Sequence, residues 1–175
     1  DEYSKILNNI NILIAEDNEI NRILLEELFS PYNVKLGIAV NGLEVLQLLK
    51  KEAFDVILMD LQMPEMDGYA ATKHIRAEKS TYQQIPIIAL TADVVRGELE
   101  QCKVIGMNDY LSKPFEFTAL VEKISQHLKL YRKLHEDISS DKNSLKSKPM
   151  NEGDDTQIDL AYLRMVTKNK ESQLL

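Results

Sequence analysis

The chain has 175 residues, 44% of them hydrophobic, and carries a formal net charge of -7. This length allows one domain of ordinary size plus a remainder, and the single cysteine excludes an internal disulfide. No apolar run approaches the roughly 18 residues of a membrane span, and the opening DEYSKILNNI has neither the basic region nor the long apolar core of a signal peptide. We therefore expect a soluble, cytoplasmic protein.

The acidic excess is concentrated in the first part of the chain. Residues 1–128 contain 20 Asp and Glu against 12 Lys and Arg, whereas residues 129–175 contain 8 against 9. Contact with phosphates of nucleic acid requires a basic face, so this balance argues against nucleic acid as a direct ligand. It fits a cation site or a basic partner.

Short apolar runs alternate with helical stripes along most of the chain. The runs are typical of buried strands, and apolar residues at helical spacing follow each of them. The predicted strands are residues 11–15, 34–40, 56–59, 87–90 and 109–111. The predicted helices contain the stripes 20–28, 45–49, 69–77, 95–105 and 117–128.

Turn and cap residues separate these elements. Asn18 is placed to cap the first helix and Pro31 to end it, while Gly106 ends the fourth. Asn41-Gly42 predicts a turn before the second helix. Because parallel strands need right-handed helical crossovers, five strand–helix units predict an α/β fold, a doubly wound five-stranded parallel sheet with helices on both faces.

The stretch DVILMDLQMPEMDG, residues 55–68, is the most informative part of the sequence. It places a single carboxylate, Asp60, at the end of a buried strand, and its Pro64 and Asp67-Gly68 punctuate a loop and start a new helix. Taken alone, Asp60 is explained by the end of a strand and the start of a turn. A functional role requires other polar residues at the same edge of the sheet.

Polar residues of this kind follow four of the five predicted strands. If the strand order is 2-1-3-4-5, Glu16, Asp17 and Asp60 come together, and Thr91 and Lys113 lie on the flanking strand ends. Three neighbouring carboxylates repel one another, so such a cluster requires a bound cation or raised pKa values. Oxygen ligands of this type favour Mg²⁺.

The segments ILIAEDN, DVILMDLQMPEMDGY, IIALTAD and GMNDYLSKPF occur in this order along the chain. In sequence and spacing they resemble the receiver domain of two-component response regulators, specifically the receivers fused to hybrid sensor histidine kinases. The resemblance covers about residues 9–128 and implies a flavodoxin-like sheet of order 2-1-3-4-5.

The resemblance also implies residue roles. Asp60 matches the phosphoacceptor aspartate, Glu16 and Asp17 the acidic pair at the Mg²⁺, and Gln62 a further ligand through its backbone carbonyl. Lys113 matches the lysine that pairs with the phosphoryl group. Asp60 is then a nucleophile, and catalysis consists of positioning and charge neutralisation.

Two further positions match a switch. Thr91 corresponds to the switch hydroxyl, and Tyr110 to the aromatic residue that changes rotamer on phosphorylation, although Tyr110 is explained as well by a half-buried strand tyrosine. Gln62 and Asp93 occupy positions that in this family tune the loss of the phosphoryl group.

The expected function is therefore acceptance of a phosphoryl group from a kinase phosphohistidine, followed by a conformational change, a relay to a phosphotransfer histidine, or both. The implied partners are the dimerisation and phosphohistidine domain of a histidine kinase and a histidine phosphotransfer domain, with a weak homodimer as a further option. Such a domain catalyses its own phosphorylation and dephosphorylation and belongs to the cytoplasmic part of a sensor kinase whose kinase core is absent from this chain.

Two alternatives stay open: a Mg²⁺-dependent aspartyl-phosphate hydrolase, which needs a second acid where Gln62 stands, and a receiver that only binds.

The domain boundaries expected are a receiver at 1–130, an extended helix end and polar linker at 131–157, and the start of a second helical element at 158–175. The helix end is expected to reach about residue 137 and the linker to begin at 139. Residues 158–175 resemble the truncated opening of a histidine phosphotransfer domain. The three histidines, His74, His127 and His135, are expected to be solvated helix residues.

Overall fold

The computed structural model describes residues 2–92 and 96–145. Five strands and six helices alternate along these residues. The strands are β1 (Ile10–Ala15), β2 (Val34–Ala39), β3 (Val56–Asp60), β4 (Ile87–Thr91) and β5 (Asp109–Ser112). The helices are α1 (Glu2–Ile6), α2 (Glu19–Phe29), α3 (Gly42–Lys51), α4 (Gly68–Ala77), α5 (Arg96–Ile105) and α6 (Phe117–Leu145).

The strands form one parallel sheet in the order β2-β1-β3-β4-β5. Every residue of β3 and β4 is buried, which is the pattern of central strands covered on both faces, whereas β2 and β5 are only partly buried at the two edges. The predicted fold class and the strand order implied by the resemblance are both confirmed. This order makes β1 and β3 neighbours at the point where the winding direction reverses.

Each face of the sheet carries its own apolar layer. Side chains of α3, α4 and α5 cover one face, and those of α1, α2 and α6 cover the other. In the second layer the ring of Phe117 lies between aromatic rings of the amino-terminal segments, at centroid distances of 5.5 Å to Phe29, 5.7 Å to Tyr32 and 6.2 Å to Tyr3. The sheet is therefore covered on both faces, and its carboxyl edge is left to the loops that follow the strands.

Three local features differ from the sequence prediction. The helix α1 was not predicted, because its five residues carry too short a stripe, and it is fixed by Leu7, which is fully buried in the second layer. Asn41 is the N-cap of α3 rather than the first residue of a separate turn, and its side chain accepts a hydrogen bond from Glu44 N. The helix α6 continues to Leu145, beyond the expected end near residue 137, so it includes the first residues of the predicted linker.

Several predictions lie outside the described residues: the tuning residue Asp93, the linker residues 146–157, the phosphotransfer-like element 158–175 and the side chain of His135. Within the described part of the chain, no helix combines the length and the apolar character needed to cross a membrane.

Candidate functional site

A cleft of about 850 Å³ opens at the carboxyl edge of the sheet. The ends of the three strands β1, β3 and β4, the residue after β5, and the loop before α4 contribute to its walls. Six of the seven predicted site residues line it: Glu16, Asp17, Asp60, Gln62, Thr91 and Lys113.

The strand register brings these residues to one place. Ala15 pairs with Met59, Asp60 with Leu90, and Thr91 with Ser112, so the residues that close each strand share one edge. The connection is tightened where Lys113 N donates a hydrogen bond of 2.7 Å to Thr91 O. Parallel pairing alone therefore converts separate positions in the sequence into one cluster.

Three carboxylates converge in the cleft. One carboxylate oxygen from each of Glu16, Asp17 and Asp60 lies within 4.8 Å of the other two. Glu16 is 1% exposed and Asp60 8% exposed, whereas Asp17 is exposed at the mouth. Two buried anions and one exposed anion form a strongly negative pocket that remains open to solvent.

Lys113 is the cation of this cluster. Its Nζ lies 2.5 Å from Glu16 Oε2 and 3.2 Å from Asp60 Oδ2, so the shorter contact is to Glu16. The resemblance implies a pairing of Lys113 with the phosphoryl group, and the pair with Glu16 is not predicted by the sequence. One ammonium against three carboxylates leaves an excess of two negative charges.

The ionisation of these groups reflects burial and mutual charge. Burial raises the pKa of Asp60 above its ordinary value against the lowering effect of the Lys113 ammonium. For Glu16 burial acts upward too, but the hydrogen bonds from Lys113 and from the backbone of Asn18 outweigh it, and the pKa is lowered. Burial acts downward on the pKa of Lys113, yet its hydrogen bond to Glu16 and the charge of Asp60 raise it. A Glu16–Lys113 ion pair thus stands beside a less strongly stabilised Asp60.

The loop between β3 and α4 is closed by its own backbone. Gln62 N donates to Asp60 Oδ1 at 3.1 Å, and Gly68 N donates to Leu61 O at 3.1 Å. A Cβ on Gly68 would lie only 2.3 Å from Asp60 O, so a side chain at this position would displace the backbone of the central carboxylate. The loop therefore fixes the direction of Asp60.

Sequence reasoning missed two residues that shape the acidic pair. Arg22 Nη1 donates hydrogen bonds to Glu16 O at 3.0 Å and Asp17 O at 2.7 Å, which anchors the turn between β1 and α2. The side chain of Asn21 forms a hydrogen bond with Glu16. Only their position one helical turn after the acidic pair hints at these roles in the sequence. The predicted cap is confirmed, since Asn18 Oδ1 accepts from Asn21 N at 3.1 Å.

Tyr110 is the predicted site residue that does not line the cleft. It lies in β5, partly buried against the layer formed with α5, three residues before Lys113. His127 also departs from the prediction, because its Nε2 lies 2.8 Å from Asp109 Oδ2 and its side chain is only 12% exposed. His74 is exposed as expected.

The donor set fits a hard divalent cation. Three carboxylates within reach of one point, two of them buried, provide oxygen ligands, and the open mouth leaves room for the waters that Mg²⁺ retains. The excess negative charge of the cleft favours the same ion.

The sequence matches the family model described as response regulator receiver domain over residues 12–125. Among curated relatives, hybrid signal transduction histidine kinase B of Dictyostelium discoideum is 40% identical over 67% of this chain, and hybrid signal transduction histidine kinase G of the same organism is 38% identical over 67%. The match spans only 6% and 4% of those two proteins.

A solved structure of similar fold is the receiver domain of a sensor histidine kinase from Pseudomonas aeruginosa, with a magnesium ion coordinated in its active site cleft. It is 35% identical, with a TM-score of 0.63, and the match covers 69% of this chain and 98% of that one. A second is the co-crystal structure of the Saccharomyces cerevisiae histidine phosphotransfer signaling protein Ypd1 with the receiver domain of its downstream response regulator Ssk1. The match there is 33% identical, has a TM-score of 0.64 and covers 71% of this chain and 92% of the matched chain.

Proposed function

The chain belongs to the response regulator receiver family, and from this premise we propose that Asp60 accepts a phosphoryl group from a phosphohistidine protein. The observation that carries the proposal is the convergence of Asp60 with two further carboxylates and Lys113 in one cleft. Asp60 is the only one of the three carboxylates that ends a central strand and contacts both the loop amide of Gln62 and the ammonium of Lys113 among the described residues.

The chemistry is a single displacement at phosphorus. A carboxylate oxygen of Asp60 forms the new O–P bond as the P–N bond to the donor imidazole breaks. The electron pair of that bond returns to the imidazole nitrogen, which takes up a proton as needed from solvent. Lys113 lies 3.2 Å from Asp60 Oδ2, where its charge stabilises the oxygens of the group in transfer.

Magnesium is the cofactor we propose for this cleft. Glu16 and Asp17 would hold it together with Asp60 and the backbone carbonyl of Gln62, and it would neutralise charge on the phosphoryl oxygens. Arg22 supports this arrangement through the carbonyls of the acidic pair. A magnesium ion in the cleft of the related Pseudomonas aeruginosa receiver supports the assignment.

We further propose Thr91 and Tyr110 as the residues that report phosphorylation. Thr91 lines the cleft with only 5% exposure and ends the strand beside β3, so we assign its hydroxyl to the new phosphoryl group on Asp60. Tyr110 lies on β5, which pairs with the strand that ends at Thr91. A movement at the cleft would then pass to the surface formed by α5, β5 and α6.

An apolar surface beside the cleft suits the partner. The helix α2 exposes Ile20, Ile23 and Leu24 by 77%, 48% and 54%. Next to them a groove of about 390 Å³ reaches Lys113 and Glu16 at the rim of the cleft. We propose that a helical histidine phosphotransfer domain, the partner class seen with the related Ssk1 receiver, docks here and presents its histidine to Asp60.

The test uses two phosphodonors, acetyl phosphate and a phosphorylated histidine phosphotransfer protein, each with Mg²⁺. Mass spectrometry should find one phosphoryl group on Asp60 with both donors. Asp60→Asn should abolish the adduct, whereas Asp67→Asn, which changes another carboxylate of the same cleft and preserves a helix cap, should keep it. Leu24→Ser should slow transfer from the protein donor about tenfold and leave acetyl phosphate unaffected, as expected for loss of a docking contact.

A matched control for the docking surface is Val104→Ser, which changes a side chain 87% exposed on α5 and should leave transfer from both donors unchanged. An adduct that persists at the wild-type level in Asp60→Asn contradicts the phosphoacceptor assignment. Equal rates for Leu24→Ser and wild type with the protein donor contradict the docking surface.

A further inference from the structure

Two side chains of α6 hold the first residue of β5. Lys123 Nζ lies 2.7 Å from Asp109 Oδ1, and His127 Nε2 lies 2.8 Å from Asp109 Oδ2. The two α6 residues are four positions apart and so lie on the same side of the helix. The side chains of Asp109, Lys123 and His127 are 17%, 30% and 12% exposed, which shelters the contacts from solvent. We call these three residues the Asp109 clasp.

The positions of the hydrogens in the Asp109 clasp follow from the ionisation of Asp109. Burial acts upward on the pKa of Asp109, but the hydrogen bonds from Lys123 and His127 outweigh it and lower the pKa. The carboxylate is therefore ionised at neutral pH and only accepts hydrogen bonds. It follows that Nε2 of His127 carries a hydrogen, so both α6 side chains donate to Asp109.

The clasp also reaches Tyr110. Asp109 Oδ1 accepts a hydrogen bond from Tyr110 N at 2.8 Å, and Lys123 Nζ lies 5.6 Å from the centroid of the Tyr110 ring. The distance is in the range of a cation–π contact. Lys123 thus stabilises the ring in its observed, partly buried position and contacts the Asp109 oxygen that accepts from Tyr110 N.

The location of the clasp gives these contacts a mechanical role. As the edge strand, β5 pairs with β4 alone, through four residues, and the chain continues from it directly to Lys113. One short strand therefore carries the aromatic residue that we assigned to the switch and leads directly into the cation of the cleft. The strand is also held by its pairing with β4 and by Leu111 in the core, but the clasp supplies the side-chain contacts at Asp109 and at the Tyr110 ring, so a change in the clasp should alter the position of that ring.

We propose that Lys123 and His127 are positioning residues, which through Asp109 hold the Tyr110 ring in its resting place and so set how readily the receiver switches. The inference rests on the proposed role of Tyr110. Because Lys123 contacts the ring in the observed position, its removal should favour any alternative position that lacks this contact. Loss of the His127 contact loosens Asp109 and should act in the same direction, more weakly.

The experiment follows the ring itself. The seven tyrosines are replaced by fluorotyrosine, and Tyr110→Phe identifies the Tyr110 fluorine resonance. Wild type with Mg²⁺ and beryllium trifluoride, a mimic of the acyl phosphate, gives the position of that resonance in the switched state. In the unphosphorylated protein, Lys123→Met and His127→Leu should move the resonance toward this position.

The expected size is a change in the ratio of the two ring populations of about two- to fivefold, the range that 0.5–1 kcal/mol from a partly exposed ion pair corresponds to. His127→Gln retains an N–H donor and should restore the wild-type resonance. Lys129→Met removes an exposed cation from the same helix outside the clasp and should have no effect. If the clasp has a purely structural role, Lys123→Met and His127→Leu should lower the melting temperature but should not move the Tyr110 resonance toward its position in the beryllium trifluoride-bound wild type.

A Tyr110 resonance that stays at its wild-type position in both Lys123→Met and His127→Leu overturns the proposal. If His127→Leu does not fold, Lys123→Met decides alone, because its side chain is the most exposed of the three. Phosphate uptake at Asp60 is measured separately with acetyl phosphate. Failure of that uptake in the wild type counts against the proposed function, whereas an unresponsive ring in a protein that takes up phosphate counts against the clasp.

Discussion

The carboxyl ends and the amino ends of the strands form two edges of the sheet, and charged side chains at these two edges are compensated in opposite ways. At the carboxyl edge, three carboxylates face one ammonium, and charge is left in excess. At the amino edge, Arg76 is partly buried, and no carboxylate pairs with it among the described residues. Its guanidinium instead donates to Gly106 O at 2.9 Å, Gln83 O at 2.6 Å, Ile85 O at 2.7 Å and Asn108 Oδ1 at 2.9 Å.

The difference separates a structural charge from a functional one. Every donor atom of the Arg76 guanidinium has an acceptor, and although burial lowers its pKa to about 10, the group stays charged at neutral pH. The amino edge therefore needs nothing from outside the chain. The carboxyl edge combines like charges that repel, and that repulsion is relieved by a ligand cation. Stability is concentrated at one edge and reactivity at the other.

The largest expected change in the free energy of unfolding comes from a substitution at the amino edge. Arg76→Met removes four side-chain hydrogen bonds and leaves the partly buried carbonyls of Gly106, Gln83 and Ile85 without this donor, so the free energy of unfolding should fall by about 2–4 kcal/mol. Denaturant unfolding measures the change. Lys73→Met, which removes an exposed cation from the same helix, should change it by less than about 0.5 kcal/mol. Equal effects of the two substitutions would contradict the structural role of Arg76.

The next effect sharpens the contrast at the carboxyl edge. Mg²⁺ at ten times its dissociation constant should raise the free energy of unfolding of the wild type by about 1.4 kcal/mol, because only the folded chain assembles the site. Asp17→Asn should lose most of this gain and should be no less stable than wild type without Mg²⁺, since it removes repulsion. Thermal unfolding with and without Mg²⁺ provides both comparisons. A marked loss of stability in Asp17→Asn without Mg²⁺ would show that the carboxyl edge does not store repulsion.

The smallest effect concerns the Asp109 clasp. Because folding lowers the pKa of Asp109 below its ordinary 3.8, the clasp contributes stability that is present above that pH and is lost as the pH falls through the lowered folded pKa. Asp109→Asn should be less stable than wild type by about 0.5–1 kcal/mol at pH 7. The difference should shrink as the pH falls below about 4. Unfolding curves at pH 7, 4 and 2.5 test this, and a difference that does not depend on pH would contradict the ion pair.

The sequence allowed the fold and most of the cleft to be predicted because both follow from periodicity. Apolar runs placed β1 and β3, and parallel pairing then required Glu16 and Asp60 to share an edge. Contacts between side chains distant in the sequence were beyond that reasoning. The contact between Lys113 and Glu16 spans 97 residues, and no local pattern distinguishes it from a lysine that faces solvent.

The same limit explains the amino edge and the Asp109 clasp. Arg76 looks like an ordinary solvated residue of a helical turn, and its role depends on carbonyls of loops that only the folded chain brings near it. His127 was expected in solvent because its partner lies 18 residues away on a strand. A residue of any type supplies a backbone carbonyl, so the hydrogen bonds of Arg76 to carbonyls cannot be predicted from composition or spacing.

The closed loop between β3 and α4 has a consequence for sequence variation in this fold. Loops usually tolerate insertions, but this one is tied at Gln62 N, at Gly68 N and to the start of α3, where Gly42 N donates to Met66 O at 2.7 Å. Gly68 also lies so close to Asp60 O that the two positions cannot separate in length without losing the contact. Indel tolerance should therefore be close to nil between residues 61 and 67. We therefore expect the number of residues between Asp60 and Gly68 to be the same in any sequence that builds this site.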